Sequence, residues 1–392
     1  MESYPARSLE RAMKFQEVIL RAISKQITWM QAAEILGMSD RNMRRYRNRL
    51  EAGGYDGLID RRTRRPSAKR VPMAELERVL ALYREQYFDF NVKHFHEKLG
   101  EEHGITLSYT WVKNALQEAG LVGRKKKRGA HHKRRARRPL PGMLLHIDGS
   151  THAWLGSEHE KFDLVTIMDD ATSEIYYARF VDQESTSTIM EGLREVIAGC
   201  GVFCALYSDR ASHFVHTPKG AKTPDRSVRT QVGRALEQLG IELIAANSPQ
   251  ARGRCERSYG TLQGRLPQEL RSAGIRSMDE ANRFLAEYLV RHNAQFTVTP
   301  RESGTAFVPY HGSELDKIFS RQHERVVAND NTVSFGRLRL QIQRQTFRFS
   351  MARCRVLLCE HLDGSISLHY GPHRLGTYSA DAQKITLPSR VA

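Results

Sequence analysis

Apolar positions at helical spacing open the chain's first readable pattern. In "TWMQAAEILGMSDRNMRRYRNRL", residues 28 to 50, Met30, Ala33, Ile35 and Leu36 form a stripe, Gly37 supplies a turn, and Ser39 is placed to cap a second helix. This predicts a helix-turn-helix within a first domain over residues 1–66. After the basic connector "DRRTRRPSAKR", residues 67–122 repeat the theme: "NVKHFHEKLGEEHGITLSYTWVKNALQEAGL" reads as helix, loop at Gly104 and helix capped by Ser108. His94, His96 and His103 lie there without a neighbouring cysteine, so they are expected at the surface rather than on a metal.

From Pro139 the period changes to that of strands. "GMLLHIDGS" predicts a strand ending in Asp148, and "FDLVTIMDDATSEIYYARFV" two strands around a turn at Asp169 to Ser173. "STSTIMEGLREVIAG" predicts a helix, "VFCALYSDRASHF" a strand ending near Asp209, "SVRTQVGRALEQLG" a helix and "IELIAANSP" a strand. In "SPQARGRCERSYGTLQGRL" the steps from Cys255 to Tyr259, Leu262 and Leu266 predict a closing helix. Strands and helices in this order make an α/β domain over residues 139–305. The tail, 306–392, carries "NTVSFGRLRLQI", "QTFRFS", "RVLLCEHLDGSISLHY" and "RLGTYS", short strands with a turn at Asp363-Gly364, and predicts a small β-barrel. The whole is a multidomain chain: all-α helix-turn-helix units, an α/β core and a β domain.

Charge divides the molecule further. The 392 residues carry a formal net charge of +17, and residues 1 to 138 alone hold 31 Lys/Arg against 16 Asp/Glu. That balance implies a polyanionic partner in the front of the chain, most economically double-stranded DNA. The second helix of the first unit offers Arg41, Asn42, Arg44, Arg45, Arg47 and Arg49, side chains that reach base edges and phosphates. A solvated helix in a bundle is the plainer alternative. Residues 123–138 form a linker in which Arg124, Lys125, Lys126, Lys127, Arg128, Lys133, Arg134, Arg135, Arg137 and Arg138 repel one another and suit a track of phosphates. A nuclear-localisation signal or a merely solvated linker has the same composition. Five scattered cysteines support neither disulfides nor a zinc cluster, and a reducing cytoplasm is expected. The start has no signal-peptide core, and no apolar run approaches ~18 residues, so no membrane is expected.

Three acids stand out against this background. Asp148 and Asp209 each end a predicted strand, and strand ends in an open α/β sheet bring side chains together. Two close carboxylates repel, and a divalent cation relieves the repulsion. Glu256 lies beside the apolar stripe of its helix, between Arg254 and Arg257 and near Arg252; Gly253, Gly260 and Gly264 thin the flank it shares, so that a bulky polyanion can approach while the arginines meet phosphates. Singly, the aspartates read as turn residues and the glutamate as a surface ion-pair partner. Together, a few hard oxygen ligands describe magnesium or manganese, two ions of which assist an in-line displacement at phosphorus.

At these motifs the chain resembles a known family. "LLHIDGSTHAWL", "IMDDATSEIYYARF", "ALYSDRASHF" and "NSPQARGRCERSYGTLQGRLPQEL" are similar to the DDE transposases of bacterial insertion sequences, of the ISNCY type, within the retroviral-integrase superfamily. The resemblance implies an RNase H-like core, Asp148, Asp209 and Glu256 as first, second and third catalytic metal ligands, and two Mg2+ or Mn2+ as cofactors. It implies end cleavage and strand transfer on transposon inverted repeats and target DNA, by a homo-oligomer that is at least a dimer when the ends are synapsed. The interval from Asp209 to Glu256, 46 residues, exceeds that of retroviral integrases and fits an insertion around "HTPKGAKTPDRS". Asp169 and Asp170 compete for a catalytic role, but the resemblance implies that the family's "DDA" turn is usually structural, so they rank second. Alternatives are a catalytically inactive DNA-binding regulator and, more distantly, a tyrosine recombinase resting on "RHN" at Arg291 to Asn293.

Overall fold

A computed structural model describes residues 6–59, 71–124, 135–156, 158–218, 225, 228–246 and 253–381. The chain divides into two compact units, Met1–Arg78 and Val79–Ala392.

In the first unit, α1 (Ala6–Ile23), α2 (Trp29–Ile35) and α3 (Asp40–Gly57) pack Phe15, Val18, Ile19, Ala32, Ala33 and Met43 into one core. Thr28 and Gln31 close α2 with a reciprocal capping box, and Gly37, at φ 63°, makes the turn that only glycine adopts without strain. Ser39 precedes α3, which breaks at Gly54 so that the Tyr55 hydroxyl can donate to the Leu9 carbonyl of α1.

The second unit begins within α4 (Met73–Glu85), followed by α5 (Val92–Glu101) and α6 (Tyr109–Glu118). Ser108 caps α6, and Gly104 sits at φ 66° in the loop, as the sequence suggests. Next come β1 (Leu145–His152), β2 (Phe162–Asp169), β3 (Ile175–Val181), α7 (Thr186–Cys200), β4 (Ala205–Ser208), α8 (Gln231–Gln238), β5 (Glu242–Ala245) and α9 (Gly253–Gln263). The five strands form one sheet in the order β3-β2-β1-β4-β5, antiparallel among β1–β3 and parallel from β1 through β4 to β5. That is the RNase H-like order implied by the resemblance. Apolar side chains fill both faces. Ile147, Val165 and Ile167 pack with Leu193 of α7 and Leu236 of α8 on one; Leu164 and Met168 pack with α9, α10 (Leu266–Ser272) and α11 (Met278–Phe296) on the other. Among the described residues no helix is long and apolar enough to cross a membrane.

The histidines of α5 are not surface groups. His94, 3% exposed, bonds through Nε2 to Glu269 Oε1 of α10 at 2.7 Å; His96 meets the Leu107 carbonyl and His103 the Tyr87 hydroxyl. The polar residues of "NVKHFHEKLG" serve as a docking face instead: Asn91 donates to the Gly264 carbonyl, Lys98 reaches Glu269, and Glu97 takes both guanidinium nitrogens of Arg265. Burial alone would raise Glu269, but His94 and Lys98 bring it down to about 2. Nearby His292, its ring tilted against those of Tyr288 and Phe296, is pushed down to about 4 by burial and by Arg265.

A depressed histidine stays neutral in the fold while its unfolded counterpart protonates, so its contribution is complete above about 6.5 and lost as pH falls towards 4. The free energy of unfolding in urea is therefore expected to decline between pH 6.5 and 4, by on the order of 3 kcal/mol from this group. His292→Phe should flatten that decline; an unchanged slope would refute the assignment.

The tail departs from the expected barrel. After α12 (Leu315–Ile318) and β6 (Arg321–Val326), the β7 (Thr332–Phe335) and β8 (Leu338–Gln341) strands form a separate hairpin, while β9 (Arg355–Glu360), β10 (Ile366–Tyr370) and β11 (His373–Tyr378) join β6 in an open sheet, β11-β10-β9-β6. Both line one core that includes Val333, Leu340, Val356, Leu358 and Leu368, but among the described residues no ladder closes it. The reason lies in "QTFRFS", which alternates like a strand yet pairs with nothing. The Asn331 side chain accepts the Met351 N–H at 2.7 Å, and Arg348 donates to the Ser350 carbonyl, so local hydrogen bonds replace the ladder.

Candidate active site

β1 does not end at Asp148. Its antiparallel ladder with β2 pairs Asp148 with Thr166 and continues to His152 opposite Phe162. Only on the β4 side does the strand run out: the parallel ladder consists of Leu145 with Leu206 and His146 with Tyr207. Asp148 and Asp209 each stand two residues beyond the last of these pairs, where β1 and β4 have ceased to pair. Both aspartates are half-buried, and the Asp209 carboxylate accepts the Ala211 N–H at 2.8 Å.

α9 lies along β1. Its core stripe, Cys255, Tyr259 and Leu262, is buried as the spacing requires. The Tyr259 hydroxyl donates to the Asp148 carbonyl, and Thr166 Oγ1 is 2.9 Å away; farther along, Gln263 donates to Ser150 Oγ at 2.9 Å. Helix and strand thus run in step, and Glu256, one turn ahead of Tyr259, falls on the flank close to the level of Asp148, with its side chain exposed. Among the described residues no three His, Cys, Asp or Glu side chains stand close enough to hold a metal ion together.

Gly253 and Gly260 share the Glu256 flank, and a Cβ added to either would meet nothing within 4 Å, so their side chains are missing from open space rather than from a packed contact. Gly264 differs: a Cβ there would come 3.6 Å from Asn91 Nδ2, whose amide its carbonyl receives. Gly260→Ala is accordingly expected to stabilise the protein by up to about 1 kcal/mol in urea unfolding, since helix propensity improves without a clash. A loss of stability would mean that the flank is closed.

The remaining flank of α9 carries Arg254, Arg257, Ser258 and Thr261. Arg257 is exposed, whereas the Arg254 side chain is 14% exposed and ion-paired with the fully buried Asp170. Asp170 also accepts from His146 Nε2 at 2.7 Å, the Arg138 N–H at 2.8 Å and Arg135, while Arg137 donates to its carbonyl. Burial would raise the Asp170 carboxyl; these donors, His146 first, hold it far below the usual carboxylate range. Asp169, equally buried, accepts the N–H groups of Gly142 and Thr172. The "DD" pair is therefore an anchor that ties the end of the basic linker and the start of α9 to the sheet. Sequence reasoning placed this turn as structural before catalytic but missed its partners, although two adjacent acids facing a run of arginines were the available signal.

It missed Glu184 too. A Cβ on Gly149 would run into the Glu184 carboxylate, which brings a further acid to the residue after Asp148. "RHN" is structural: the Asn293 side chain bonds both backbone groups of Ile175.

Of the expected DNA contacts, Arg41, Asn42, Arg44, Arg45 and Arg49 are exposed along α3 around the buried Met43, and Arg47 stacks over Trp29 at 5.4 Å. Arg124 is exposed. Lys125, Lys126, Lys127, Arg128, Lys133, Arg134 and Arg252 lie outside the described residues.

Helix-turn-helix units ahead of an α/β core with half-buried acids on β1 and just past β4 suggest a class of DNA-processing protein, and comparison with known proteins makes the class specific. Residues 16–67 match a helix-turn-helix domain and residues 42–116 a homeodomain-like domain. The chain is 35% identical over 368 residues to y4bF of Sinorhizobium fredii, whose name marks it as a transposase, covering 93% of this chain and 80% of that protein. It is 28% identical over 388 residues to the transposase for insertion sequence IS1202 of Streptococcus pneumoniae, covering 90% and 83%. The protein belongs to this transposase family. Among solved structures, the simian T-cell lymphotropic virus intasome in complex with PP2A regulatory subunit B56 gamma aligns over 72% of this chain and 93% of that chain, at 16% identity and a TM-score of 0.33. The HTLV-2 integrase catalytic core domain in complex with magnesium (dimeric form) aligns over 39% and 87%, at 14% identity and 0.29.

Proposed function

We propose that this transposase binds the ends of an insertion sequence and carries out metal-dependent phosphodiester cleavage and strand transfer, with Asp148, Asp209 and Glu256 as its carboxylates. The reading is supported by the position of Asp148 and Asp209, each two residues past the last β1–β4 pair, together with the Tyr259 bond that ties the helix of Glu256 to Asp148. The donor set is hard oxygen throughout, which fits Mg2+ or Mn2+, and two such ions, when bound, would neutralise charge on the attacking and leaving oxygens. Glu256 joins the aspartates by a shift of the first turn of α9. In the first reaction water attacks the phosphorus at the element end, leaving a 5′ phosphate and a free 3′ hydroxyl; in the second that hydroxyl attacks target DNA and displaces a target 3′ oxygen, so one phosphodiester is made for each one broken. The open flank at Gly253 and Gly260 admits the backbone, and Arg257 meets a phosphate.

α3 and α6 read the terminal repeats, the basic linker follows the duplex, and two protomers at least hold both ends. Such a protein works in the bacterial cytoplasm, on the nucleoid. A second reading, a DNA-binding regulator without catalysis, is favoured by the absence of a three-acid cluster among the described residues. Magnesium-dependent nicking of a duplex that bears the element end decides between them: nicking is expected, and its absence with intact binding establishes the regulator.

A further inference from the structure

One oxygen of Asp170 has more donors than it can serve. Its Oδ1 receives His146 Nε2 at 2.7 Å, Arg135 Nη2 at 2.5 Å and the Arg254 guanidinium, three donors for the two lone pairs that a carboxylate oxygen presents, while Oδ2 takes the Arg138 N–H. Two of the three are guanidinium groups that repel each other. The donors also differ in access. The His146 side chain is fully buried and that of Arg254 is 14% exposed, whereas Arg135 is 45% exposed and is the one that an anion outside the fold can reach. Its guanidinium lies 5.9 Å from the ring centre of Tyr207, two residues ahead of Asp209.

The backbone around Arg135 is held independently, because Arg137 donates to the carbonyls of Asp170 and Ala171 at 2.9 and 3.2 Å. The Arg135 side chain can therefore leave Asp170 while its segment stays on the sheet. Arg254 is joined to both sides. Besides Asp170 it bonds through Nη2 to the Arg135 carbonyl at 2.7 Å, and it stands two residues ahead of Glu256 in the first turn of α9. Glu256 itself is exposed, and no three acids are gathered among the described residues.

We propose that Arg135 and Arg254 are positioning residues which make the assembly of the carboxylates depend on bound duplex. A phosphate of the duplex draws the Arg135 guanidinium off Asp170, and the oxygen it leaves holds Arg254 more closely. The first turn of α9 follows and carries Glu256 towards Asp148 and Asp209. Without DNA the shared oxygen keeps that turn back. The inference rests on the proposed function in taking these three acids as the metal-holding set.

The test uses the full chain without DNA, so that no phosphate competes for the ion. Arg135→Gln removes the competing cation, as capture by a phosphate would. Its affinity for Mn2+, read from the paramagnetic resonance of the free ion, is expected to rise about tenfold over the parent, a usual size for coupling between sites. Adding Arg254→Gln brings the affinity back to the parent level or below; loss of a second positive charge would by itself raise it again, so the fall is the specific result. Adding Asp209→Asn abolishes the gain. Hydrogen exchange of the Arg257 and Ser258 amides, which close the first turn of α9, reads the same shift without metal and slows in Arg135→Gln. Arg135→Lys, which keeps the cation, stays at the parent level in both measurements, and at a half-exposed position neither substitution threatens the fold. Unchanged exchange in Arg135→Gln overturns the proposal, and a gain in Mn2+ affinity that survives Arg254→Gln overturns the role of that arginine. Slower exchange with no gain in Mn2+ affinity, or with a gain that survives Asp209→Asn, upholds the coupling of Arg135 to α9 and sinks the assignment of the carboxylates instead.

Discussion

Asp148→Asn, Asp209→Asn and Glu256→Gln are each expected to abolish magnesium-dependent cleavage of an element end while the end is bound as tightly as before. The amides keep the shape of the carboxylates and remove the charge, so what is lost is the capacity to hold a divalent ion at the reacting phosphate. The fall should be at least about a thousandfold, because charge stabilisation at phosphorus supplies several kcal/mol of the transition-state energy. In the proposed reading end binding is carried elsewhere, by the exposed arginines of α3 and the basic linker, and removing an anion near phosphates would not weaken it. Gel-shift and nicking assays on one labelled duplex separate the two effects. Parent-level nicking by any one variant takes that residue out of the site.

Asp170→Ala should destabilise the unit Val79–Ala392 by about 3–5 kcal/mol, the cost of removing one partner from a buried charge cluster. His146 and Arg254 would keep their buried positions without the anion they surround, and the first turn of α9 would lose its tie to the sheet. Asp170→Asn, which can still accept the Arg138 N–H, should fall between the two. The folded carboxyl titrates far below its ordinary value of 3.8, so its contribution is present above that value and lost only as pH falls below it. The gap between parent and variant should hold from pH 7 down to about 5 and narrow only in stronger acid. A urea difference under about 1 kcal/mol at pH 7 would show that the cluster is not what anchors the helix.

How much of this was legible in the sequence depends on the range of the interactions. Local signals read well: Gly37, Gly104 and Ser108 bracket their helices because caps and left-handed turns are decided by one or two residues, while Ser39 holds the N-cap position of α3 without a side-chain hydrogen bond. The stripe Cys255, Tyr259 and Leu262 gave the buried face of α9 for the same reason. What period and composition cannot carry is the partner. Asp148 read as a strand end because the apolar run stops there, whereas the β2 ladder continues the strand past it. His94 read as a surface group because its partner, Glu269, is 175 positions away in the chain. "QTFRFS" has the alternation of a strand but no neighbour to pair with, and α1, β6 and α11 were not anticipated. The aspartates stand out by their place after apolar runs, but which strand lies beside β1 is decided by the parallel pairing with β4, which no local pattern carries.

The docking of α5 on α10 bears on where the enzyme would cut. α6, with Tyr109, Thr110, Lys113 and Asn114 exposed at its start, belongs to the same compact unit as α9, fastened through Asn91, Glu97 and Lys98. If, as proposed, α6 reads bases and Glu256 serves the reacting phosphate, the two would be measured off by a protein ruler of fixed length. One base pair inserted between them moves the phosphate by roughly 3.4 Å and turns it around the helix axis, so the cut should stay at its distance from the recognised bases and shift in sequence.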